Sequence, residues 1–333
     1  MYRADRFSRV NHTDRTPLVI TVIASSVLFI AIACGVRQDL KQGDSTVAAV
    51  KPPAAPATQP TANGTVVDST HLMPENVTFA SAEAAYNKRH FVEATESFDA
   101  YVQRHPGNAY GHYMLGLSAW KTGDLPRARA AFERSLEIDS TNVKTLLNLG
   151  RVLLDQGNAN DALSRVGSAA ALDTGSAEVR RMMGRVQVAL GQPDSAIASY
   201  RVALSIDPSD SWSMNNLGLI LIDQGRYDEA LPPLARAVEL RPESPAFANN
   251  LGVALERTGH TTAAADAYRA ALKSDSTYTK ASVSLARVDG KPDTTTIDVG
   301  ELAAKFNDEL QSAREQRLAK LTIKPDSVKT PER

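Results

Sequence analysis

The sequence predicts an all-α fold: a superhelix of about six stacked helix–turn–helix units, preceded by an N-terminal membrane segment and a disordered linker. Three observations predict it. Gly116, Gly150, Gly184, Gly218 and Gly252 recur every 34 residues. A second glycine series (Gly123, Gly157, Gly191, Gly225, Gly259) and an alanine series from Ala94 to Ala264 keep the same interval. Three registers with one period mark a supersecondary unit stacked on itself. Aromatic residues are only 6% of the chain, thin for a β-sandwich and suited to helices built from Ala and Leu.

Taken from the N-terminus, residues 1–36 form a cytoplasmic start followed by an anchor or export segment. No charge interrupts 18–36, and Arg3, Arg6, Arg9 and Arg15 precede it. As a helix this stretch spans roughly 28 Å, near the thickness of a bilayer core. Two readings stand. An uncleaved transmembrane helix keeps its basic start in the cytoplasm. A cleaved signal has a basic start, an apolar middle and small residues at its end. Ala31-Ile32-Ala33-Cys34-Gly35 resembles the lipobox of bacterial lipoproteins, which implies Cys34 as a lipidation candidate, although that family prefers Leu where Ala31 stands. Either reading places the remaining chain on the extracytoplasmic, periplasmic side of a membrane. Residues 37–74 then read as a Pro/Ala/Thr-rich linker. Pro52, Pro53, Pro56 and Pro60 fix φ and remove donors, so no helix forms there.

Within 109–142 the unit can be read locally. A helix-forming stretch from Tyr110 to Thr122 ends at Gly123, which supplies a left-handed residue. Asp124 suits an N-cap and Pro126 a first turn. Ala128, Ala131, Phe132, Ser135 and Leu136 then form one face of a second helix. Units starting at 75, 109, 143, 177, 211 and 245 place Ala82 and the first glycine series at slot 8, and the alanine series at slot 20. Slot 24 holds Phe98, Phe132, Val166, Tyr200, Leu234 and Tyr268, and slot 27 holds Tyr101, Ser135, Ala169, Ala203, Ala237 and Ala271. This pattern resembles the tetratricopeptide repeat (TPR) over 75–278, as six repeats: 75–108, 109–142, 143–176, 177–210, 211–244 and 245–278. The small residues let backbones approach, because a larger side chain overpacks such a contact. Repeat four departs from the pattern with Arg180 and Gln187 in apolar slots, so looser packing is expected there. Pro232 and Pro233 are expected to bend a second helix. Residues 279–289 read as a capping helix. Residues 298–321 form an amphipathic helix with Val299, Leu302, Phe306, Leu310 and Ala313 on one stripe, expected to dock on the chain's own array. Residues 322–333 are a charged tail.

Composition narrows function. Lys plus Arg total 37 against 38 Asp plus Glu, a net charge of −1, which excludes nucleic-acid binding through bulk charge. One cysteine excludes an internal disulfide and a Cys-based zinc site. The six histidines show no metal-ligand spacing, and no catalytic or phosphate-binding motif occurs. The expectation is therefore a non-enzymatic binding module with no cofactor or metal. Its alternative is a structural assembly scaffold or self-associating envelope component, which would expose apolar ladders rather than polar ones.

At about 100° per residue, slots 4, 7, 8 and 11 form the packing stripe of each first helix, so slots 2, 5, 6 and 9 are expected to line the concave face. The TPR resemblance implies that this face holds peptides, with slot-6 asparagines gripping peptide backbone in some members. Asn148, Asn216 and Asn250 occupy slot 6, and Asn215 and Asn249 occupy slot 5. An amide offers both donor and acceptor to an extended chain. Lys144, Arg151, Arg181 and Arg185 are expected to stack as a basic strip, with Tyr110, Tyr113, Trp120 and Trp212 as flat apolar contacts beside it. The family's carboxylate clamp is unmatched, since Leu147 and Arg151 stand at its slots. The expected partner is an acidic or extended peptide or protein segment.

Overall fold

The structure, a computed structural model, describes residues 77–293 and 296–322. Among the described residues there are fourteen helices and no strand. The stretches expected to be a membrane segment, linker and tail, and Cys34, lie outside them. Among the described residues no helix is long and apolar enough to cross a membrane.

The helices pair in chain order. Repeat one holds α1 (Phe79–Asn87) and α2 (Phe91–Arg104), and repeat two α3 (Ala109–Thr122) and α4 (Leu125–Ile138). Repeat three holds α5 (Val143–Asp155) and α6 (Ala159–Leu172), and repeat four α7 (Ala177–Ala189) and α8 (Pro193–Ile206). Repeat five holds α9 (Ser211–Asp223) and α10 (Tyr227–Leu240), and repeat six α11 (Pro245–Arg257) and α12 (Thr261–Ser274). Two single helices follow, α13 (Thr279–Val288) and α14 (Val299–Thr322).

Local chemistry sets the boundaries. From repeat two to repeat six, each first helix starts on a side-chain cap: Asn108, Asn142, Ser176, Asp210 and Ser244 each accept the N–H three residues on. Second helices start after slot 15, whose backbone has positive φ throughout, for example 83° at Gly123. In repeat one that slot is Arg89, left-handed at 64° and the one non-glycine with positive φ among the described residues.

Each pair closes through slot 8. A Cβ on Gly252 would stand 2.5 Å from the Tyr268 ring, and one on Gly116 would stand 2.6 Å from Phe132. Only glycine admits that approach. The alanines at slot 20 and all six residues at slot 24 are fully buried. Where Ser135 replaces alanine at slot 27, its hydroxyl donates to the Ala109 carbonyl at 2.8 Å.

The buried apolar residues divide into three clusters. One joins repeats one and two, a second runs from repeat two to α7, and a third runs from α8 to α14. Two seams separate them, one inside repeat two and one inside repeat four, the latter at the expected weak point. Gln187 there accepts a hydrogen bond from Ser199 at 2.6 Å, and the Arg180 Nε is buried with no partner. That second seam is thus polar where the other repeats are apolar.

Neighbouring first helices touch along the array, while second helices of successive repeats make less contact, so the first helices line the inner side of the curve. α13 extends this inner row. The chain then turns back: Asp293 accepts the Thr262 N–H at 2.6 Å, and Thr261 donates to the Pro292 carbonyl at 3.0 Å. That return supplies α12 with the N-terminal acceptor that His260 does not provide. α14 lies across α10 and α8 on the outer side. Ala303, Phe306 and Leu310 are buried there, and Arg236 donates to Asn307 at 3.2 Å. α10 continues through Pro232 and Pro233, and both line the cleft of about 480 Å3 beneath α14. The inner face of the array is left uncovered by α14.

Candidate functional site

The inner face differs along its length. In repeats one and two it carries aromatic rings. Phe79 of α1 lies 5.5 Å from Tyr110 of α3, and Tyr110 stacks on Tyr113 at 5.8 Å. Tyr110 is 52% exposed, an unusual exposure for a ring of that size in a packed array. Tyr86, Tyr113 and Trp120 are half-buried beside it. Burial first, and then the neighbouring tyrosines, push the hydroxyls of Tyr86 and Tyr113 above the ordinary tyrosine range.

Polar groups frame these rings. Tyr113 accepts from Asn148 Nδ2 at 3.2 Å, and Asn148 Oδ1 accepts from Arg151 at 2.6 Å. Trp120 donates to Asp155 at 2.9 Å. The Lys121 ammonium sits 5.0 Å from the Trp120 ring centroid. Burial, then Arg151, then Arg89 pull the Lys121 ammonium below the ordinary lysine range.

The basic strip expected from the sequence is charge-balanced in the structure. Arg151 reaches Glu178 of the next repeat at 2.5 Å, and its side chain keeps 12% exposure. Arg181 bonds the almost fully buried Asp210 at 2.8 Å. Arg185 is buried against the Met182 sulfur. Only Lys144 stands exposed. Arg151 and Arg181 are thus neutralised by carboxylates and Arg185 is buried, so the strip is not an open cationic track.

The asparagines are also corrected. Asn215, Asn216, Asn249 and Asn250 are each at most 4% exposed. Asn250 donates to Asn215 at 2.9 Å, joining slot 6 of one repeat to slot 5 of the one before. Tyr113 and Asn148 occupy the same slots in repeats two and three. The amides thus lock neighbouring first helices together, and in repeats five and six they lie too deep to grip a ligand. Asn216 has neither amide atom paired, and Asn249 Oδ1 is likewise unpaired. Trp212 is half-buried, edge-on to Phe247 at 4.9 Å and covered by Arg241 at 5.3 Å.

Sequence reasoning missed Phe79, Tyr86, Lys121 and Asp155. Slot arithmetic carries the signal for them: Phe79 shares slot 5 with Tyr113, and Tyr86 shares slot 12 with Trp120. Exposed large apolar side chains elsewhere are scattered, and apart from α14 only Ile138 and Leu172 share a slot. No continuous apolar ladder, as a self-associating scaffold would present, appears among the described residues. Nor does any group of three or more potential metal ligands.

A curved helical-repeat solenoid with an uncovered inner face defines the class: a protein-interaction scaffold. Residues 79–143 and 215–279 match one tetratricopeptide-repeat family model, and 119–186 and 153–214 match another. These matches run without a gap over more than half of the chain, and the chain belongs to the tetratricopeptide-repeat family. Repeats of this family are generally non-enzymatic interaction modules.

A curated relative, the Protein CTR9 homolog of Arabidopsis thaliana, is 34% identical over 93 residues, 27% of this chain and 8% of that protein. The chain thus spans a small part of that relative's length. The solved APC/C hetero-tetramer Cut9–Hcn1 aligns over 72% of this chain and 46% of that chain, at 18% identity and a TM-score of 0.52. The MamA protein aligns over 52% of this chain and 94% of that chain, at 26% identity and a TM-score of 0.43.

Proposed function

We propose that this chain is a membrane-attached interaction module that holds an extended peptide or protein segment on the inner face of repeats one to three. One observation carries the reading: the rings of Phe79, Tyr110 and Tyr113 form a partly exposed floor on the side that α14 leaves uncovered. Flat rings offer large contact area at little entropic cost. Lys121 and Asp155 supply polar groups at the edge of the floor, whereas Asn148, 6% exposed, is taken up by Tyr113 and Arg151.

The paired arginines leave a strongly acidic partner with less to gain than the sequence implied. Lys121, crowded by Arg151 and Arg89, is one place where a partner carboxylate gains. Attachment rests on the apolar stretch 18–36, as a retained helix or as a signal ending at a lipidated Cys34, with the repeats on the periplasmic side. Mass spectrometry of the mature N-terminus separates the two. Recovery of an intact, unmodified chain in the cytosol would remove both.

The groove is tested by capture of envelope proteins on the full chain, wild type beside Tyr110→Ser/Lys121→Ser and beside the outer-face variant Val202→Ser. Capture is expected to fall at least tenfold for the first variant and to persist for the second. Equal capture by all three would deny the inner face a role.

A further inference from the structure

We infer that Arg89 and Lys121 together receive one acidic side chain of the segment held on the aromatic floor. This rests on the proposed use of the inner face and names the chemistry of its partner there: a ring or apolar side chain for the floor and a single carboxylate beside it.

Arg89 is the first observation. Slot 15 is glycine in repeats two to six, and its backbone is left-handed in all six repeats. Repeat one keeps that conformation, at φ 64°, with an arginine. The left-handed region is unfavourable for a residue with a Cβ, and such outliers cluster at ligand sites. The bond from the Arg89 backbone N–H to the Tyr86 carbonyl, at 2.9 Å, is one that glycine would also make. Among the described residues no carboxylate pairs with the Arg89 guanidinium. The arginine at this slot is thus explained by nothing within the repeat.

Lys121 is the second. It stands in the last turn of α3, and its ammonium lies 5.0 Å from the Trp120 ring centroid. Among the described residues it too has no carboxylate partner. The nearby acids are engaged elsewhere: Asp155 accepts from the Trp120 indole at 2.9 Å, and Glu178 accepts from Arg151. Burial, then Arg151, then Arg89 act against the charge on Lys121. Arg151 is matched by Glu178, which leaves Arg89 and Lys121 as two cations from successive repeats with no anion between them. Like charges so placed repel, and an anion bridging them gains charge-assisted hydrogen bonds from both. A single carboxylate suffices, because Arg181 and Arg185 are paired or buried and offer nothing to an acidic run.

The two cations adjoin the floor. Arg151 acts on the Tyr113 hydroxyl as well as on Lys121, and Tyr113 stacks on Tyr110 at 5.8 Å. A segment that rests a ring or apolar side chain on Tyr110 therefore brings a neighbouring acidic residue to Lys121. Arg89 at slot 15 and Lys121 at slot 13 are distinct from slots 5 and 9 of the family's carboxylate clamp.

The test follows Lys121 acetylation by acetic anhydride in the full chain in detergent, read by mass spectrometry against Lys144. The probes, at millimolar concentration, are the dipeptides N-acetyl-Phe-Glu-amide and N-acetyl-Phe-Gln-amide, and inorganic phosphate. The Glu peptide is expected to slow Lys121 at least threefold and to leave Lys144 unchanged, while the Gln peptide does neither. In Arg89→Gly the Glu peptide is expected to lose this effect, although the variant melts no lower than the wild type. Equal slowing by both peptides, or undiminished slowing in Arg89→Gly, would overturn the two-cation site. Phosphate acting as strongly as the Glu peptide would assign the site to phosphate and overturn the carboxylate. No slowing by any probe would overturn the inference as well. The floor would survive that last result if a photoreactive residue at position 110 still crosslinked a partner, so the two readings fail separately.

Discussion

Slots 5 and 6 of the first helices join neighbouring repeats at both ends of the array, but their surroundings differ. In repeats two and three they hold Tyr113 and Asn148, which meet at 3.2 Å beside an exposed ring. In repeats five and six they hold Asn215 and Asn250, which meet at 2.9 Å with almost no exposure. The backbone unit is the same. What differs is the side chain at slot 5 and the row beyond: repeat two carries a ring there and repeat five an amide, and α13 extends the first-helix row past repeat six. One repeat geometry therefore yields a surface for binding at one end and only a lock between repeats at the other, according to side-chain size and what lies alongside.

The comparison breaks most severely if α14 is loosened. Phe306→Ala removes its main anchor and is expected to cost about 3–5 kcal/mol. Hydrogen exchange should accelerate in α8 to α12 and stay unchanged in α1 to α6. Uniform acceleration would mean that the two ends do not respond separately. Gly252→Ala drives a methyl into the Tyr268 ring and should cost about 1–3 kcal/mol by urea denaturation. Gly116→Ala against Phe132 should cost a similar amount, since slot 8 is the feature both ends share.

Two substitutions are expected to stabilise. Arg89→Gly relieves a left-handed residue in repeat one and should gain about 1 kcal/mol by thermal melting. Arg180→Leu removes an unpaired buried Nε at the seam and should gain about 1 kcal/mol while making unfolding of the two large clusters more nearly concerted. A loss of stability in Arg180→Leu would show that this seam is already optimally packed.

The smallest effect is a pH dependence at the C-terminal end. Burial raises the Glu256 carboxyl, but hydrogen bonds from Arg287 and Tyr268 and the Arg287 charge outweigh it and hold it below the usual carboxylate range. Because the folded pKa is depressed, this contribution is fully present above the unfolded value of about 4.3 and is lost as pH falls through the lower folded value. Melts between pH 6 and pH 3 should show a drop that Glu256→Gln flattens.

The repeat boundaries were legible because three slots carry hard constraints. Slot 8 excludes a Cβ in repeats two to six and holds alanine in repeat one, slot 20 admits only a small side chain, and slot 15 has positive φ in all six repeats. Arg89 shows the strength of the period, for its backbone obeys the slot although its side chain does not. The amphipathic stripe announced that α14 packs, but not that it packs across α10 and α8, since a stripe carries no address. The inner face was half legible. A helical wheel gives a direction within one helix. It cannot give the closeness of the next helix, which decides whether Asn216 is presented or buried. Nor does it pair Arg151 with Glu178, which lie 27 residues apart and meet only because one repeat stacks on the next.

The central claim is that the inner face is open at repeats one to three and closed at repeats five and six. Photo-crosslinking from positions 110 and 249 of the full chain in cells tests it most directly. The account predicts partner adducts from position 110 and none from position 249. Partner adducts from 249 with none from 110 would contradict it.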